Sequence, residues 1–468
     1  MEPSAPGNRP PRVVVVSPPF ASHAQPLSVL AGALARRGAD VVFACGPPFE
    51  GFARRAGVTF VPLAITRNSN TGVARSTPQA AEERRRLDEF LESTRRGAVS
   101  ALLTQCRHRG QDMLPDPEDT LARIRSLHAR LAPDWYVVDQ LSYPVTLALH
   151  CLGLRYATFC PGHPTYVPAS GSALFGVPYA WPEAIRPSGE ELAELRRAAR
   201  EVDTEFTRRF AETARLHAPD APPPGRAFAL ASPHAVVFNY PEFPWLPGRP
   251  DGGPAFVHGG HGVPAVPPDP GARWEAVLGR LGATHRRVVL IALGTFLSAR
   301  DDVLALLVRS LRANLPDTAA IVAAGDRAAA LSHLAGPDVH IEDVVPQHWL
   351  LGKVDAMVHH GGNNSFTEAL ASGTPALVLP FSSDQFAIAH DAERAGLALC
   401  LDPSRLDERT AGTALRRLLD APPPGLRHWS RRVGRRGPDW VAHRLMGAMA
   451  PDGVRPVRPV RAGVVPVR

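Results

Sequence analysis

Lysine is almost missing from this chain: Lys353 is the only one among 52 basic residues in a sequence of 468. The formal charge of +7 is therefore carried by arginine. A basic surface is one signature of nucleic-acid binding. Here the arginines are dispersed, apart from Arg84-Arg85-Arg86 and a cluster between Arg431 and Arg436, so a solvated surface with no nucleic-acid partner is expected. Cysteine is also scarce. Cys45, Cys106, Cys151, Cys160 and Cys400 are scattered and odd in number, and none forms a Cys-x-x-Cys pair. That pattern speaks against a disulfide framework or a structural metal and for a reduced cytoplasm. No apolar run approaches the ~20 residues of a membrane span. Residues 1–12 are polar and Pro-rich, without the apolar segment of a signal peptide. No Gly-x-Gly-x-x-Gly follows the first apolar run, which argues against a dinucleotide oxidoreductase. No Asp-x-Asp stands where a divalent ion would be needed, so metal-independent chemistry without a cofactor is expected.

What the chain has is enough apolar residue, 44%, for two or three cores. Val13-Val14-Val15-Val16 reads as a buried parallel strand. A helix is expected over 26–37, with Leu27, Leu30 and Leu34 on one face, followed by a strand over 40–45. This β-α-β start implies a parallel sheet with right-handed crossovers. Further strands are expected at 136–138 and 235–238, and in a second half at 287–293, 319–324, 354–358 and 375–379. The stretch from Tyr240 to Ala272 is dense in Pro and Gly and reads as a connector. The expected organisation is a disordered 1–11, a first α/β domain over 12–250, a linker over 251–285, a second over 286–450 and a flexible tail over 451–468. Residues 66–130 read as a polar, mostly helical insertion. In doubly wound sheets ligands bind at the carboxyl ends of the strands, so two such domains would face each other across one cleft.

The most informative stretch is His359-His360-Gly361-Gly362-Asn363-Asn364-Ser365-Phe366-Thr367-Glu368. It joins an expected strand to an expected helix through a glycine turn, the arrangement that presents free backbone N–H groups and a positive helix end to a phosphate. Asn364, Ser365 and His360 add side-chain donors. Glu368, one turn into the helix, can accept hydrogen bonds from a hydroxylated group such as a ribose. The turn alone is equally compatible with a tight connection whose Asn and Ser merely cap a helix.

Several stations taken in order resemble the family 1 glycosyltransferases of the GT-B fold, the UDP-glycosyltransferase group. Ser22-His23-Ala24-Gln25-Pro26 resembles the family's early G-H-x-x-P turn, and Pro133 to Asp139 resembles the strand ending in an aspartate. Leu293-Gly294-Thr295, Val345-Pro346-Gln347, His360 to Glu368, and Pro380 with Asp384-Gln385 resemble its donor-binding elements. The resemblance covers most of residues 12–450 and is strongest over 345–399. It departs at Ser22, where glycine is usual, and at Val344 and Asn363, where plant members carry tryptophan, which gives the chain a bacterial natural-product look.

The resemblance implies two Rossmann-like domains, the first binding the acceptor and the second the nucleotide sugar. It implies His23 as catalytic base, oriented by Asp139. Gly294, Thr295, Val345, Gln347, His360, Gly362, Asn363, Asn364, Ser365, Glu368, Asp384 and Gln385 would hold the donor. The aromatic set Tyr166, Phe175, Tyr179 and Trp181 is a candidate acceptor lining. The expected reaction is metal-independent, inverting transfer of a hexose from a UDP-sugar to a small secondary-metabolite acceptor. A nucleotide-sugar 2-epimerase on the same architecture and a non-catalytic partner protein are the alternatives. Retention of His23, Asp139 and the phosphate signature speaks against the latter.

Overall fold

The computed structural model describes residues 9–65, 70, 81–168, 173–222, 224–248 and 252–450. The expected carboxyl-terminal tail and nearly all of the expected amino-terminal one lie outside them. Two all-parallel sheets organise the chain. The first contains β1 (Arg12–Val16), β2 (Asp40–Cys45), β3 (Thr59–Pro62), β4 (Trp135–Asp139), β5 (Tyr156–Cys160), β6 (Ala235–Phe238) and β7 (Ala255–His258), in the order β3-β2-β1-β4-β5-β6-β7. The second contains β8 (Arg287–Ala292), β9 (Thr318–Ala323), β10 (Val339–Glu342), β11 (Ala356–His359), β12 (Ala376–Val378) and β13 (Ala398–Cys400), in the order β10-β9-β8-β11-β12-β13.

Both orders reverse direction at one point, between β1 and β4 and between β8 and β11. A crevice opens at such a switch, outside the carboxyl ends of the two strands. The register sets what meets there. Val16 pairs with Val138, so the residues after β1 face the end of β4. Ala292 pairs with His359, so the turn after β8 faces the turn after β11. The central strands are buried on both faces, which is why Val13 to Val16 and Val289 to Ile291 are continuous apolar runs rather than alternating ones.

The helix expected over 26–37 runs instead from Ala21 to Arg36, with Pro26 inside it. The strand over 354–358 is displaced to Ala356–His359. Within the span read as connector, Ala255–His258 forms the last strand of the first sheet, paired with β6. Pro254 and the following Gly259-Gly260 hid these four residues. The helix Ala272–Thr284, also within the expected linker, buries Trp274 and Leu281 against the core around β8. The helix Pro438–Met449, the last element among the described residues, packs Val441, Ala442, Leu445 and Met449 into the core of the first sheet beside the helix Ala21–Arg36. The insertion is helical at Ala81–Arg96, Ala98–Asp112 and Pro117–Leu131. Its first helix sends Leu91 into the core of the second sheet. Among the described residues no helix is long and apolar enough to cross a membrane.

Candidate active site

His23 lies in the first turn of the helix after β1, and Asp139 is the last residue of β4. The switch point brings them together: His23 Nδ1 donates to Asp139 Oδ2 at 2.9 Å, with Asp139 fully buried. Asp139 Oδ1 accepts from the Leu141 N–H at 2.9 Å, which fixes the carboxylate. Burial disfavours the imidazolium of His23, but the Asp139 charge and hydrogen bond, helped by Asp384, outweigh it and raise the pKa above the ordinary value. Nδ1 is committed to Asp139, so Nε2 is the nitrogen left for proton transfer.

Opposite stands the turn after β11. The helix Asn363–Ser372 starts behind Gly362, and its first backbone bond runs from Phe366 N–H to Gly362 O at 3.0 Å. The N–H groups of Asn363, Asn364 and Ser365 thus have no intrahelical acceptor, as in any first turn. His360 is partly buried, and its desolvation lowers its pKa to about 4, so the ring is neutral at physiological pH. Its Nδ1 is buried without a partner among the described residues. The ring fits because two glycines make room for it. A Cβ on Gly294 would come 2.5 Å from His360 Cε1, and one on Gly362 would come 2.2 Å from Nε2. The two sites line one cleft of roughly 1090 Å³.

Residues 312–435 match the family described as erythromycin biosynthesis protein CIII-like, C-terminal domain. A 162-residue stretch is 33% identical to 4'-demethylrebeccamycin synthase of Lentzea aerocolonigenes, covering 34% of this chain and 36% of that enzyme. A 65-residue stretch is 35% identical to a sterol 3-beta-glucosyltransferase of Glomerella lagenarium, covering 14% of this chain and only 4% of that protein's length. The solved glycosyltransferase VinC, in complex with DTDP, superposes with a TM-score of 0.59 at 20% identity, over 94% of this chain and 99% of that one. The chain has the GT-B fold. Its two-sheet architecture is that of bacterial natural-product glycosyltransferases.

Within this GT-B frame the residues singled out from sequence divide by what their side chains touch. The two asparagines of the turn join the halves. Asn363 Nδ2 donates to Pro161 O at 2.6 Å and Asn239 O at 2.8 Å, both on the first half. Asn364 Nδ2 donates to Ser22 O at 2.7 Å. Pro26 explains that last bond: lacking an N–H, it leaves the carbonyl four residues earlier without its helical donor, and Asn364 supplies one from across the cleft. The amides expected on the donor are thus engaged in holding the turn against the first half, Asn364 at the His23 loop and Asn363 at Pro161 and Asn239, and the backbone N–H groups remain for a ligand.

Glu368 lies at the cleft wall, where Oε1 meets His348 Nε2 at 2.7 Å and Oε2 accepts from Gln347 Nε2 at 2.6 Å. Ser365 and Thr295 line the same cleft. Val345 lines it too, and its carbonyl accepts from the Gln347 N–H. Val344, where plant members carry tryptophan, is 70% exposed. Asp384 Oδ2 accepts from the His163 N–H at 2.8 Å. Gln385 Oε1 is occupied by the N–H groups of Phe381 and Ser382, so it braces the loop that carries Asp384.

The aromatic set is split. Tyr166 and Phe175 line the cleft, whereas Tyr179 and Trp181 do not. Tyr179 donates to Asp391, which also holds His163 at 2.9 Å, Tyr240 at 3.0 Å and Trp245 at 2.8 Å in a polar knot between the halves. Trp181 packs on Phe386. Periodicity cannot reveal such partners, because they come from the other half of the chain.

Two residues of the site were not singled out from sequence. His348 is pressed by burial toward neutrality, yet Glu368 outweighs this and raises its pKa. Gln105, on the helix Ala98–Asp112, donates to Ser383 Oγ at 2.7 Å and accepts from the Ser383 N–H at 3.1 Å. Ser383 has a φ of 57°, a left-handed backbone that a non-glycine residue adopts at a cost, so Gln105 clamps a strained turn beside Asp384. Gln105 had no local signal. His348 adjoins the Val345-Pro346-Gln347 segment, which was the available one.

Proposed function

We propose that the protein is an inverting, metal-independent glycosyltransferase that moves a hexose from a UDP-sugar to a small-molecule acceptor of the secondary-metabolite type. One observation carries this: His23, held by Asp139 at the carboxyl edge of one sheet, and a helix N-terminus with a neutral histidine at the carboxyl edge of the other line the same cleft. The acceptor hydroxyl gives its proton to His23 Nε2 as its oxygen attacks the anomeric carbon, and the bond from that carbon to the diphosphate breaks. Attack from the side opposite the leaving group inverts the centre. Asp139 stabilises the imidazolium that forms. The N–H groups of the first helical turn and His360 receive the charge that develops on the diphosphate, from positions fixed in advance. The helix end offers the leaving diphosphate a route that needs no divalent ion.

Glu368 supports uridine over thymidine. Each of its oxygens has one partner within the protein and keeps acceptor capacity for a ribose hydroxyl. Deoxyribose presents one such hydroxyl instead of two, and an acceptor left short loses ~1.4–2.8 kcal/mol, or ~10- to 100-fold in affinity. Asp384, which also lines the cleft, would accept from a sugar hydroxyl. Calorimetric titration with UDP and TDP tests the nucleotide assignment, in wild type and in Glu368→Gln, which replaces one of the two acceptor oxygens by an N–H₂ donor. UDP should bind at least about tenfold tighter in the wild type, with the margin reduced in the variant. Equal affinities, or a preference for TDP such as the VinC complex would suggest, would overturn it.

A further inference from the structure

Two arginines are buried among the described residues, Arg109 at 7% exposure and Arg300 at 3%. Arg300 is held by both oxygens of Asp302, at 2.8 and 2.9 Å. Arg109, on the helix Ala98–Asp112, has no carboxylate in ion-pair range among those residues. Its guanidinium lies 4.8 Å over the Phe175 ring, and its Nη1 makes two long contacts, 3.5 Å to Phe175 O and 3.8 Å to Cys106 Sγ. Five N–H donors on a permanent charge are poorly served by these. The backbone has been shaped to admit the group. Gly176 has a φ of 77°, and a Cβ there would lie 1.7 Å from Arg109 Nη1. The guanidinium borders the cleft at the end formed by Met113, Leu141, Tyr166 and Phe175, on the first half and away from the phosphate turn.

We propose that Arg109 is an anion subsite of the acceptor pocket, and that the acceptor is an apolar, ring-bearing molecule carrying a carboxylate. This rests on the reading of the first half as the acceptor side of a glycosyltransferase. A planar guanidinium pairs with a carboxylate through two parallel N–H···O bonds, and its stacking on Phe175 orients that fork. The apolar walls take the ring system. An acceptor without the anion would leave the buried charge unpaired, so the subsite selects as well as binds.

The test uses the full chain and two probes of one shape, naphthoate and naphthamide, titrated calorimetrically in the presence of UDP. Naphthoate should bind the wild type at least about tenfold more tightly. Arg109→Met, of similar length and uncharged, should erase the difference. Arg109→Lys, which keeps the charge and guards against a folding failure in the first variant, should reduce it severalfold through loss of the two-pronged contact. Equal affinity of the two probes, no binding of either, or an unchanged preference in either variant would overturn the subsite. Titration of UDP alone into the same samples separates the two readings. UDP binding without a carboxylate preference removes the subsite only, whereas a preference without UDP binding removes the donor assignment.

Discussion

Pro26 and Asn364 should be energetically coupled although they lie in opposite halves of the sequence. In the folded chain the Ser22 carbonyl lacks its helical donor because residue 26 is proline, and Asn364 Nδ2 fills the place at 2.7 Å. Asn364→Ala removes that bond and leaves a partly buried carbonyl short of a partner. The cost should be about 1 kcal/mol for the hydrogen bond, approaching ~3 kcal/mol if water cannot reach the oxygen. In a Pro26→Ala background the backbone N–H restored at that position can bond Ser22 O within the helix, so Asn364→Ala should then cost only a few tenths of a kcal/mol. Pro26→Ala also removes a buried ring, but that loss is common to both arms of the cycle and cancels. The coupling energy should therefore be about 1–2 kcal/mol, read from urea unfolding curves of the four proteins with constant m-values. Additive effects would refute the idea that Asn364 compensates for the proline.

The remaining predictions concern the chemistry. His23→Ala should lower turnover by ~10²-fold or more while leaving UDP affinity nearly intact; wild-type turnover in that variant would exclude His23 as base. The raised pKa of His23 places the acid limb of the rate profile above its ordinary value of 6.5, because the base must be neutral. The sign for stability is the opposite: the His23–Asp139 interaction is fully present below about 6.5 and is lost as pH rises through the folded value. Asp139→Asn removes the charge that raises the pKa and leaves burial, which lowers it, so the limb should move to lower pH as the rate falls; an unmoved limb would assign the titration to another group. His360, near 4, should contribute no step in the neutral range. Activity should survive EDTA, and a complete loss restored by Mg²⁺ would contradict the route through the helix N-terminus.

Much of the fold was legible because buried parallel strands write themselves as apolar β-branched runs, as at Val13 to Val16 and Val288 to Ile291. Strand β7 was not, since a four-residue run between Pro254 and two glycines carries a turn signal stronger than its strand signal. The helix Pro438–Met449 falls within the span expected to be the second domain, yet it packs on the first sheet, because an apolar stripe does not say which core it joins. The site was legible where a loop has one local job, as at His23, Asp139 and the glycine turn. Asn363 and Asn364 look like phosphate donors in sequence, yet their amides answer unsatisfied backbone carbonyls on the other half. Tyr179 and Trp181 were read as pocket residues for a related reason: their partners, Asp391 and Phe386, lie in the other half of the chain.

The central claim is that this cleft transfers a sugar with inversion. Its most direct test is incubation of the full chain with UDP-glucose and a panel of aromatic acceptors, reading products by mass and the anomeric configuration by proton NMR, with His23→Ala alongside. The account predicts an acceptor heavier by one hexose, a β-linkage formed from the α-linked donor, and loss of that product in the variant. A retained α-linkage, an epimerised donor with no glycosylated acceptor, or equal product from His23→Ala would contradict it.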